Sequence, residues 1–475
     1  MKHFYTPHAM FRLFILIIFF VSIIGTDTSS SLASVPKTHR SAKPSPAKLK
    51  KITNRAFKPK ACPPKPQWLL NPMPPISTAS TQCDVSLLSV IAQARTLLRN
   101  ERVLYIPCSR GRSEKREVKL ALANLKTGAI CIASGWMSGD NLFLYNKNIQ
   151  YEVEWMNGFN SAINIIKPDN TAVVAILYAV EPHRQKIYGT SAILYTPFSS
   201  ALLQPELVQA GKQYLLRQIA VAQNELHHVA SQAFPGRSLK RSPAFAAEDY
   251  LHIILAEQMD PGRFYAIMGD NARLGKGQQV NFKQLADRIL VIVGANQETA
   301  YRFTGSPAGA RGLTQFTPVG MRTVWDNYPD SGIPQNFFKA TSNHDSAIKA
   351  KICLLDHYLA LLAAAYPRLL GSGYEKFAAA AAYNGGPKRV LDGLKQFGVH
   401  WLNPRVRLAK LSGKQNRTRR ELLEYQWLKN NQYHETFVYL MKLHALDQAS
   451  LYNTDKEIPV QAVKNVVQGN APVRD

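Results

Sequence analysis

Residues 306 to 318 read SPAGARGLTQFTP, a glycine-rich stretch within a half of the chain that has helical periodicity. Its glycines allow the backbone to approach a ligand closely. Gln315 offers both a donor and an acceptor to a sugar amide or hydroxyl, and Leu313 and Phe316 are predicted to point into the core. A phosphate-binding loop is the competing interpretation, but no GK[ST] sequence follows the glycines. The stretch therefore predicts a rigid ligand-binding loop.

A single carboxyl group lies just before this loop. The apolar periodicity predicts a helix from Phe282 to Ala295, with Asn281 as its N-cap, and this helix brings Glu298 to the edge of a core. We expect partial burial of Glu298 there, and partial burial favours the protonated form that a general acid needs. On position alone, an ordinary surface glutamate past a helix end is the alternative.

A third segment, AAYNGGP at residues 381 to 387, ends an alanine-rich helix with glycine and proline. Tyr383 is predicted to sit at this helix end and to face a cleft. Its hydroxyl could donate to developing charge, and its ring could pack against a sugar. Simple helix termination is the alternative interpretation of the same pattern.

In this order, QET (297 to 299), SPAGARGLTQFTP and AAYNGGP resemble the catalytic domain of the soluble lytic transglycosylases, and HETFVY (434 to 439) resembles its Glu-Thr-x-x-Tyr element. The resemblance covers roughly residues 245 to 450. It implies a lysozyme-like helical domain that cleaves peptidoglycan glycan strands without a metal or other cofactor. It also implies a site with Glu298 and Tyr383 as catalytic residues and Ser306, Gln315, Asn384 and Glu435 as substrate-binding residues.

The resemblance assigns each of these residues a role. One glutamate, here Glu298, acts first as acid and then as base, so that an anhydro ring forms without water. Tyr383 would stabilise the transition state, Asn384 would brace the site, and Glu435 would face the muramoyl side. Three residues differ from the family's motifs. Thr299 stands where the family has serine, Thr314 where it has methionine, and Gly385 where it has alanine. Methionine normally forms a wall of the sugar subsite, so Thr314 is expected to alter affinity or subsite preference.

The number of carboxyl groups separates the candidate activities. Ordinary glycosidases use two carboxyls that flank the bond. No second acid lies between Glu298 and Asp326, although Asp345, Asp356 or Glu375 could approach in the fold. A hydrolytic muramidase on the same fold and a non-catalytic wall-binding scaffold remain the alternatives to a lytic transglycosylase.

The N-terminus predicts export. An apolar run follows Lys2 and Arg12, and a small-residue cleavage pattern follows that run, so a cleaved signal peptide and a membrane anchor at residues 13 to 25 are the two alternatives. No cysteine lies near this position, and a lipoprotein is therefore not expected. The formal net charge of +26 falls in large part on the acid-free stretch from 37 to 65. We expect a periplasmic or cell-envelope protein whose partners are peptidoglycan and, through its N-terminal segment, the inner membrane, rather than nucleic acid. No protein partner is predicted.

Two residue types bear on compartment and metal binding. An oxidising compartment would allow the five cysteines to pair; Cys353 is predicted to be a buried free thiol, and the other four could form one or two bridges. The adjacent His227 and His228 point in different directions on a helix, which favours a surface pair over a metal site.

The predicted fold class is α+β and multidomain, with a β-rich N-terminal domain before a mainly helical, lysozyme-like catalytic domain. Short β-branched runs between turns at residues 100 to 200 indicate the former, and helical periodicity after 240 indicates the latter. The predicted boundaries are 1–33 for the signal or anchor, 34–82 for a basic linker, 83–204 for the β-rich domain, 205–240 for a helical connector, 241–450 for the catalytic domain and 451–475 for a C-terminal tail.

Overall fold

The computed structural model describes residues 86–107, 115–139, 141–155, 161–268, 276–431 and 434–449. The predicted signal or anchor, basic linker and C-terminal tail lie outside these residues, as do Cys62, Cys83 and Cys108. The described fold is mixed, mostly helical with an antiparallel sheet in its middle region.

The strands occupy the region where β structure was predicted. They are β1 (Tyr105–Ile106), β2 (Lys115–Asn124), β3 (Ile130–Ser138), β4 (Asn141–Leu144), β5 (Gln150–Trp155), β6 (Ala162–Lys167), β7 (Thr171–Ala179) and β8 (Ala192–Tyr195). The named strands pair with one another antiparallel, and the main sheet has the order β4-β3-β2-β7-β8, with β1 also paired to β2. Strands β5 and β6 form a separate hairpin.

The helices are α1 (Leu87–Arg99), α2 (Pro182–Tyr188), α3 (Pro205–Glu225), α4 (Ala247–Gln258), α5 (Pro261–Met268), α6 (Lys276–Asn296), α7 (Pro318–Asn327), α8 (Phe337–Ser342), α9 (His344–Ala365), α10 (Glu375–Gly385), α11 (Pro387–Phe397), α12 (Pro404–Ser412), α13 (Arg419–Asn431) and α14 (Glu435–Gln448). Short 3-10 turns lie at Ser200–Leu202, Leu226–His228, Leu239–Arg241, Gln297–Thr299, Pro329–Ser331, Pro367–Leu369 and Val399–Leu402.

Two details of the predicted elements are wrong, and the β-rich region holds one element that was not predicted. Helix α6 begins at Lys276, so Asn281 lies inside the helix and does not cap it. The helical periodicity after 240 also predicts one helix from Arg419 to Asp447, but this region forms two helices, because α13 ends at Asn431 and α14 begins with His434 as its N-cap. The predicted β-rich region also contains helix α1, whose apolar residues pack against the sheet.

The larger hydrophobic core runs without a break from the sheet into the helices. On β2, Val118 and Leu120 face a smaller core on one side of the sheet, whereas Ala121 and Ala123 join the larger core on the other. Strand β7 is buried along its whole length because both of its faces are covered. The same larger core includes residues of α3, α4, α6, α9, α10 and α14, the helices that carry or support the candidate site.

Three smaller predictions concern described residues. Cys353 is buried and free, as predicted, while Cys131 is also free and so forms no bridge. His227 and His228 are exposed, with ring centroids 5.1 Å apart. Among the described helices, none has the length and apolarity that a membrane span needs.

Candidate active site

The turn that carries Glu298 is anchored at the end of α6. The side-chain amide of Asn296 accepts from the Thr196 N–H at 2.7 Å and donates to the carbonyls of Thr196 and Ile292, each at 2.8 Å. It also accepts from the Arg95 guanidinium. The next residue, Gln297, has φ +46°, a left-handed conformation that costs energy for a residue other than glycine. The chain thus leaves α6 in a direction fixed by hydrogen bonds to Thr196, the residue after strand β8, and to helix α1.

Glu298 itself is exposed, and the expectation of partial burial is wrong. The 3-10 turn of Gln297–Thr299 lies between the buried residues Asn296 and Ala300, and it holds the carboxyl in solvent. Thr299, which stands where the resemblance expects serine, donates its hydroxyl to the Asn296 carbonyl at 2.8 Å, a bond that a serine could also make. Within the described part of the chain, no hydrogen bond or ion pair joins the Glu298 carboxyl to another predicted site residue.

The glycine-rich loop folds back on itself by backbone hydrogen bonds. Ser306 accepts from the Ala310 N–H through its hydroxyl at 3.1 Å, and Arg311 and Phe316 exchange two backbone bonds of 2.9 and 3.0 Å. Gly312 has φ +74°, and a Cβ there would overlap the Thr341 carbonyl oxygen. The close approach that this glycine allows is therefore to helix α8. Leu313 and Phe316 are fully buried, as predicted, and they hold the loop in place.

Gln315 and Thr314 follow within this loop. Gln315 is half-buried at φ +50°, and its Nε2 donates to the Gly312 carbonyl at 2.8 Å and to the Thr304 hydroxyl at 3.3 Å. Its Oε1 accepts no hydrogen bond from the described residues. The Thr314 side chain is fully buried, and its hydroxyl has no partner there. It does not line an open subsite, contrary to what its replacement of methionine suggested.

Tyr383 connects the end of α10 to the glycine-rich loop. Its hydroxyl donates to the Thr314 carbonyl at 2.8 Å, and its ring meets Phe316 edge to face with centroids 5.6 Å apart. Tyr383 is half-buried, and desolvation, followed by the negative charge of Glu257, raises its pKa well above the ordinary value. The hydroxyl is consequently a neutral donor that already has a backbone acceptor.

Asn384 connects the same helix end to α14. Its side chain is hydrogen-bonded to the Glu435 carboxyl, and its Oδ1 is buried without a partner among the described residues. Although Glu435 is exposed as a residue, desolvation of its carboxyl and the charge of Glu257 raise its pKa. At the next position, a Cβ on Gly385 would overlap the Thr436 hydroxyl, so glycine in place of the family's alanine allows α10 and α14 to pack this closely.

A cluster of buried residues next to Tyr383 was not predicted from the sequence. We call it the Glu257 cluster, and it consists of Glu257, Lys351, Tyr439 and Lys442. Glu257 accepts from the Tyr439 hydroxyl at 2.8 Å and pairs with the Lys351 ammonium at 3.4 Å. The Lys351 Nζ also lies 4.0 Å from the centroid of the Tyr383 ring. Lys442 donates to the carbonyls of Ala256, at 3.2 Å, and Met259, at 2.5 Å, where α4 ends.

Burial dominates the electrostatics of this cluster. Lys351 and Lys442 are both buried, and desolvation lowers the pKa of each to about 8. A signal for the cluster was present in the sequence, because Lys351 interrupts the apolar run between Ile348 and Leu355. Charged residues inside an apolar helix face are seldom buried without a partner.

The three acids that could have supplied a second catalytic carboxyl are bound elsewhere. Asp345 pairs with Lys349 at 3.1 Å. Asp356 accepts from the hydroxyls of Ser231 and Tyr328, and Glu375 accepts from the Gly371 N–H at 2.5 Å. The acids found around Tyr383 and Asn384 are Glu257 and Glu435 instead.

Comparison of the chain with known protein families, with curated proteins and with solved structures gave no match. Nor do the described residues contain a group of three or more His, Cys, Asp or Glu side chains that could hold a metal ion. Assignment of a function therefore depends on the motifs and on the geometry of the site.

Proposed function

We propose that this protein is a lytic transglycosylase that cleaves the β-1,4 bond between N-acetylmuramic acid and N-acetylglucosamine in peptidoglycan. The observation that supports this most is the meeting of three motifs that are far apart in the sequence. The Tyr383 hydroxyl bonds to the Thr314 carbonyl, and Asn384 bonds to Glu435. The segments around residues 314, 383 and 435 are thus in contact, as a substrate site assembled from them requires.

In the proposed reaction, Glu298 donates its proton to the glycosidic oxygen, and the bond from the muramoyl C1 to that oxygen breaks. The substrate's own acetamido group stabilises the resulting sugar cation. The ionised Glu298 then takes the proton of the muramoyl 6-hydroxyl while O6 bonds to C1 and closes the anhydro ring. An exposed carboxyl is accessible for both transfers, and the glycan strand that covers it would exclude water.

The remaining residues position the sugar. Gln315 keeps a free acceptor oxygen, whereas Ser306 already accepts a backbone hydrogen bond and supplies its hydroxyl proton to substrate. Asn384 braces Glu435, which faces the muramoyl side. Tyr383 offers a fixed phenol whose hydroxyl would act on the transition state.

A hydrolytic muramidase is the second candidate, and one observation favours it. Hydrolysis needs a second carboxyl to activate water, and two acids, Glu257 and Glu435, lie close to Tyr383 and Asn384. Glu257 is already bonded to Tyr439 and Lys351, which leaves Glu435 as the acid that could serve.

Product analysis tests these proposals. Purified protein is incubated with sacculi, and the soluble products are analysed by mass spectrometry, with Glu298→Gln as the control. Anhydromuropeptides from the wild type alone support the transglycosylase. Reducing muramoyl ends would instead identify a muramidase. Sacculus binding without any product would identify a non-catalytic scaffold.

We further propose that the protein is exported to the periplasm or cell envelope and acts on peptidoglycan without a cofactor. The basic stretch from 37 to 65 suits contact with anionic lipid or wall polymer. Cell fractionation followed by N-terminal sequencing distinguishes a cleaved signal peptide, which gives a soluble protein starting near residue 34, from a membrane-bound chain that keeps residues 13 to 25.

A further inference from the structure

Helix α3 precedes the region that resembles a catalytic domain, yet it is in backbone contact with α6, the helix that ends two residues before Glu298. At the crossing of α3 and α6, a Cβ on Gly211 would overlap the Leu290 carbonyl oxygen, and a Cβ on Gly294 would overlap the Leu207 carbonyl oxygen. Only glycine permits so close an approach at both positions. The C-terminal end of α6 is therefore held against α3.

A hydrogen-bonded chain from the same helix reaches the Glu298 turn. The Tyr214 hydroxyl of α3 lies 2.9 Å from the His344 Nδ1, and the His344 Nε2 lies 2.7 Å from the Ala300 carbonyl oxygen. Both side chains are buried. Ala300 follows Glu298 by two residues, and its own N–H donates to the Gln297 carbonyl at 2.9 Å.

The direction of these hydrogen bonds follows from the chemistry of the groups. A carbonyl oxygen can only accept, so the His344 Nε2 carries the proton and donates to Ala300. Desolvation lowers the pKa of His344 to about 4, and the ring is therefore neutral at physiological pH. Its Nδ1 then has a lone pair, which accepts from the Tyr214 hydroxyl. Both hydrogen bonds therefore have the same direction: Tyr214 donates to His344, and His344 donates to the Ala300 carbonyl.

The backbone on both sides of Glu298 needs such support. Gln297 and Tyr301 have φ of +46° and +55°, conformations that persist only where surrounding contacts hold them. Tyr214 is also electrostatically coupled to the carboxyl itself, because desolvation and then the charge of Glu298 raise the pKa of Tyr214. The other charges near the chain are Arg217 and Arg302.

We infer that Tyr214 and His344 are positioning residues for Glu298, and that helix α3 is therefore part of the catalytic unit. The inference rests on the proposed function, since it assumes that Glu298 is the acid. Tyr214 and His344 touch no reacting atom in this scheme. They fix the Ala300 carbonyl, and with it the turn that aims the carboxyl at the glycosidic oxygen.

Kinetics on soluble glycan fragments test the inference with four variants. Tyr214→Phe removes only the hydroxyl and should lower kcat about 10-fold with KM nearly unchanged, because orientation and not binding is lost. His344→Leu should lower kcat at least as much. His344→Gln should recover most of the rate, since its amide can donate to Ala300 and accept from Tyr214. Tyr328→Phe is the matched control, because it removes another buried hydroxyl, which donates to Asp356 at 2.8 Å.

Tyr328→Phe should lower thermal stability and leave kcat unchanged. The inference is overturned if Tyr214→Phe lowers kcat no more than Tyr328→Phe does, if its effect falls on KM, or if His344→Gln is as slow as His344→Leu.

A second measurement does not depend on activity. Hydrogen exchange of the Ala300 and Thr304 amides should be about 10-fold faster in Tyr214→Phe than in Tyr328→Phe, because the turn opens more often. Equal exchange in the two variants would contradict the inference. If the wild type cleaves no glycan, the proposed function fails while this exchange experiment still decides whether Tyr214 holds the turn.

Discussion

Glu298 and Glu257 differ in how they are held: Glu298 is exposed on a strained turn, whereas Glu257 is 10% exposed among the buried residues Lys351, Lys442 and Tyr439. The first carboxyl is held through its backbone, by Asn296, His344 and the contact between α3 and α6. The second is held through its own oxygens, by Tyr439 and Lys351.

This difference separates two tasks that a site of this kind has to perform. A group that exchanges protons with a substrate must be reachable, so its position has to be fixed without occupying its oxygens. A group that fixes the scaffold can have its oxygens fully bonded. Substitution of Glu298 should therefore affect the rate and not the fold, whereas substitution of Glu257 should affect the fold first.

Glu298→Gln is expected to give the largest effect. Cleavage should fall about 1,000-fold or more, since the amide cannot transfer a proton. The free energy of unfolding should change by less than about 0.5 kcal/mol because the side chain is exposed. Product release from sacculi and thermal melting measure the two quantities, with the exposed Glu248→Gln as control. Substantial residual cleavage would mean that the acid is another residue, with Glu435 the first to examine.

Glu257→Gln should show the opposite pattern. Loss of the carboxylate leaves Lys351 and Lys442 buried without their anion, and removing one partner of a buried ion pair costs about 3 kcal/mol or more. Chemical denaturation measures this loss. Adding Lys351→Met to the variant should restore part of the stability, because the uncompensated charge is removed. A variant as stable as wild type would show that Glu257 does not hold the scaffold together.

Local patterns in the sequence predicted several parts of this arrangement. The burial of Leu313 and Phe316, the helix that ends shortly before Glu298 and the strands between residues 105 and 195 all follow from periodicity and turn residues. These features depend on neighbours within a few positions, and one sequence is enough to show them.

Features that depend on contacts between distant segments were not predicted. The Glu257 cluster joins α4, α9 and α14, and Tyr214 is linked to Ala300 through His344 where Gly211 and Gly294 let α3 and α6 touch. The exposure of Glu298 likewise depends on tertiary packing, which determines whether its turn lies inside the core or at the surface. Burial of a charged residue is a property of the packed fold, and hydrophobic periodicity alone does not show it.

The pH dependence of stability tests the contact of His344 with the Glu298 turn, and its expected effect is smaller. Desolvation lowers the pKa of His344 from the ordinary 6.5 to about 4 in the folded protein, so protonation favours the unfolded chain between these values. The stabilisation is complete above pH 6.5 and is lost as the pH falls toward 4. Protonation of His344 should therefore lower the free energy of unfolding of the wild type by about 2 kcal/mol between neutral pH and pH 5. The free energy of unfolding of His344→Gln, measured by denaturation at both pH values, should not show this loss. If the wild type and the variant have the same pH profile of stability, His344 is not buried as a neutral ring.

Tyr383→Phe should have the smallest of these effects, and it tests whether Tyr383 acts in catalysis or only in the scaffold. Its hydroxyl donates to the Thr314 carbonyl, so its loss should cost about 1 kcal/mol of stability. If the hydroxyl also meets charge in the transition state, kcat should fall about 10-fold, while KM stays nearly constant because the ring remains. Tyr328→Phe again supplies the control for stability. A stability loss with an unchanged kcat would place Tyr383 with Glu257 in the scaffold and leave Glu298 without a phenol to assist it.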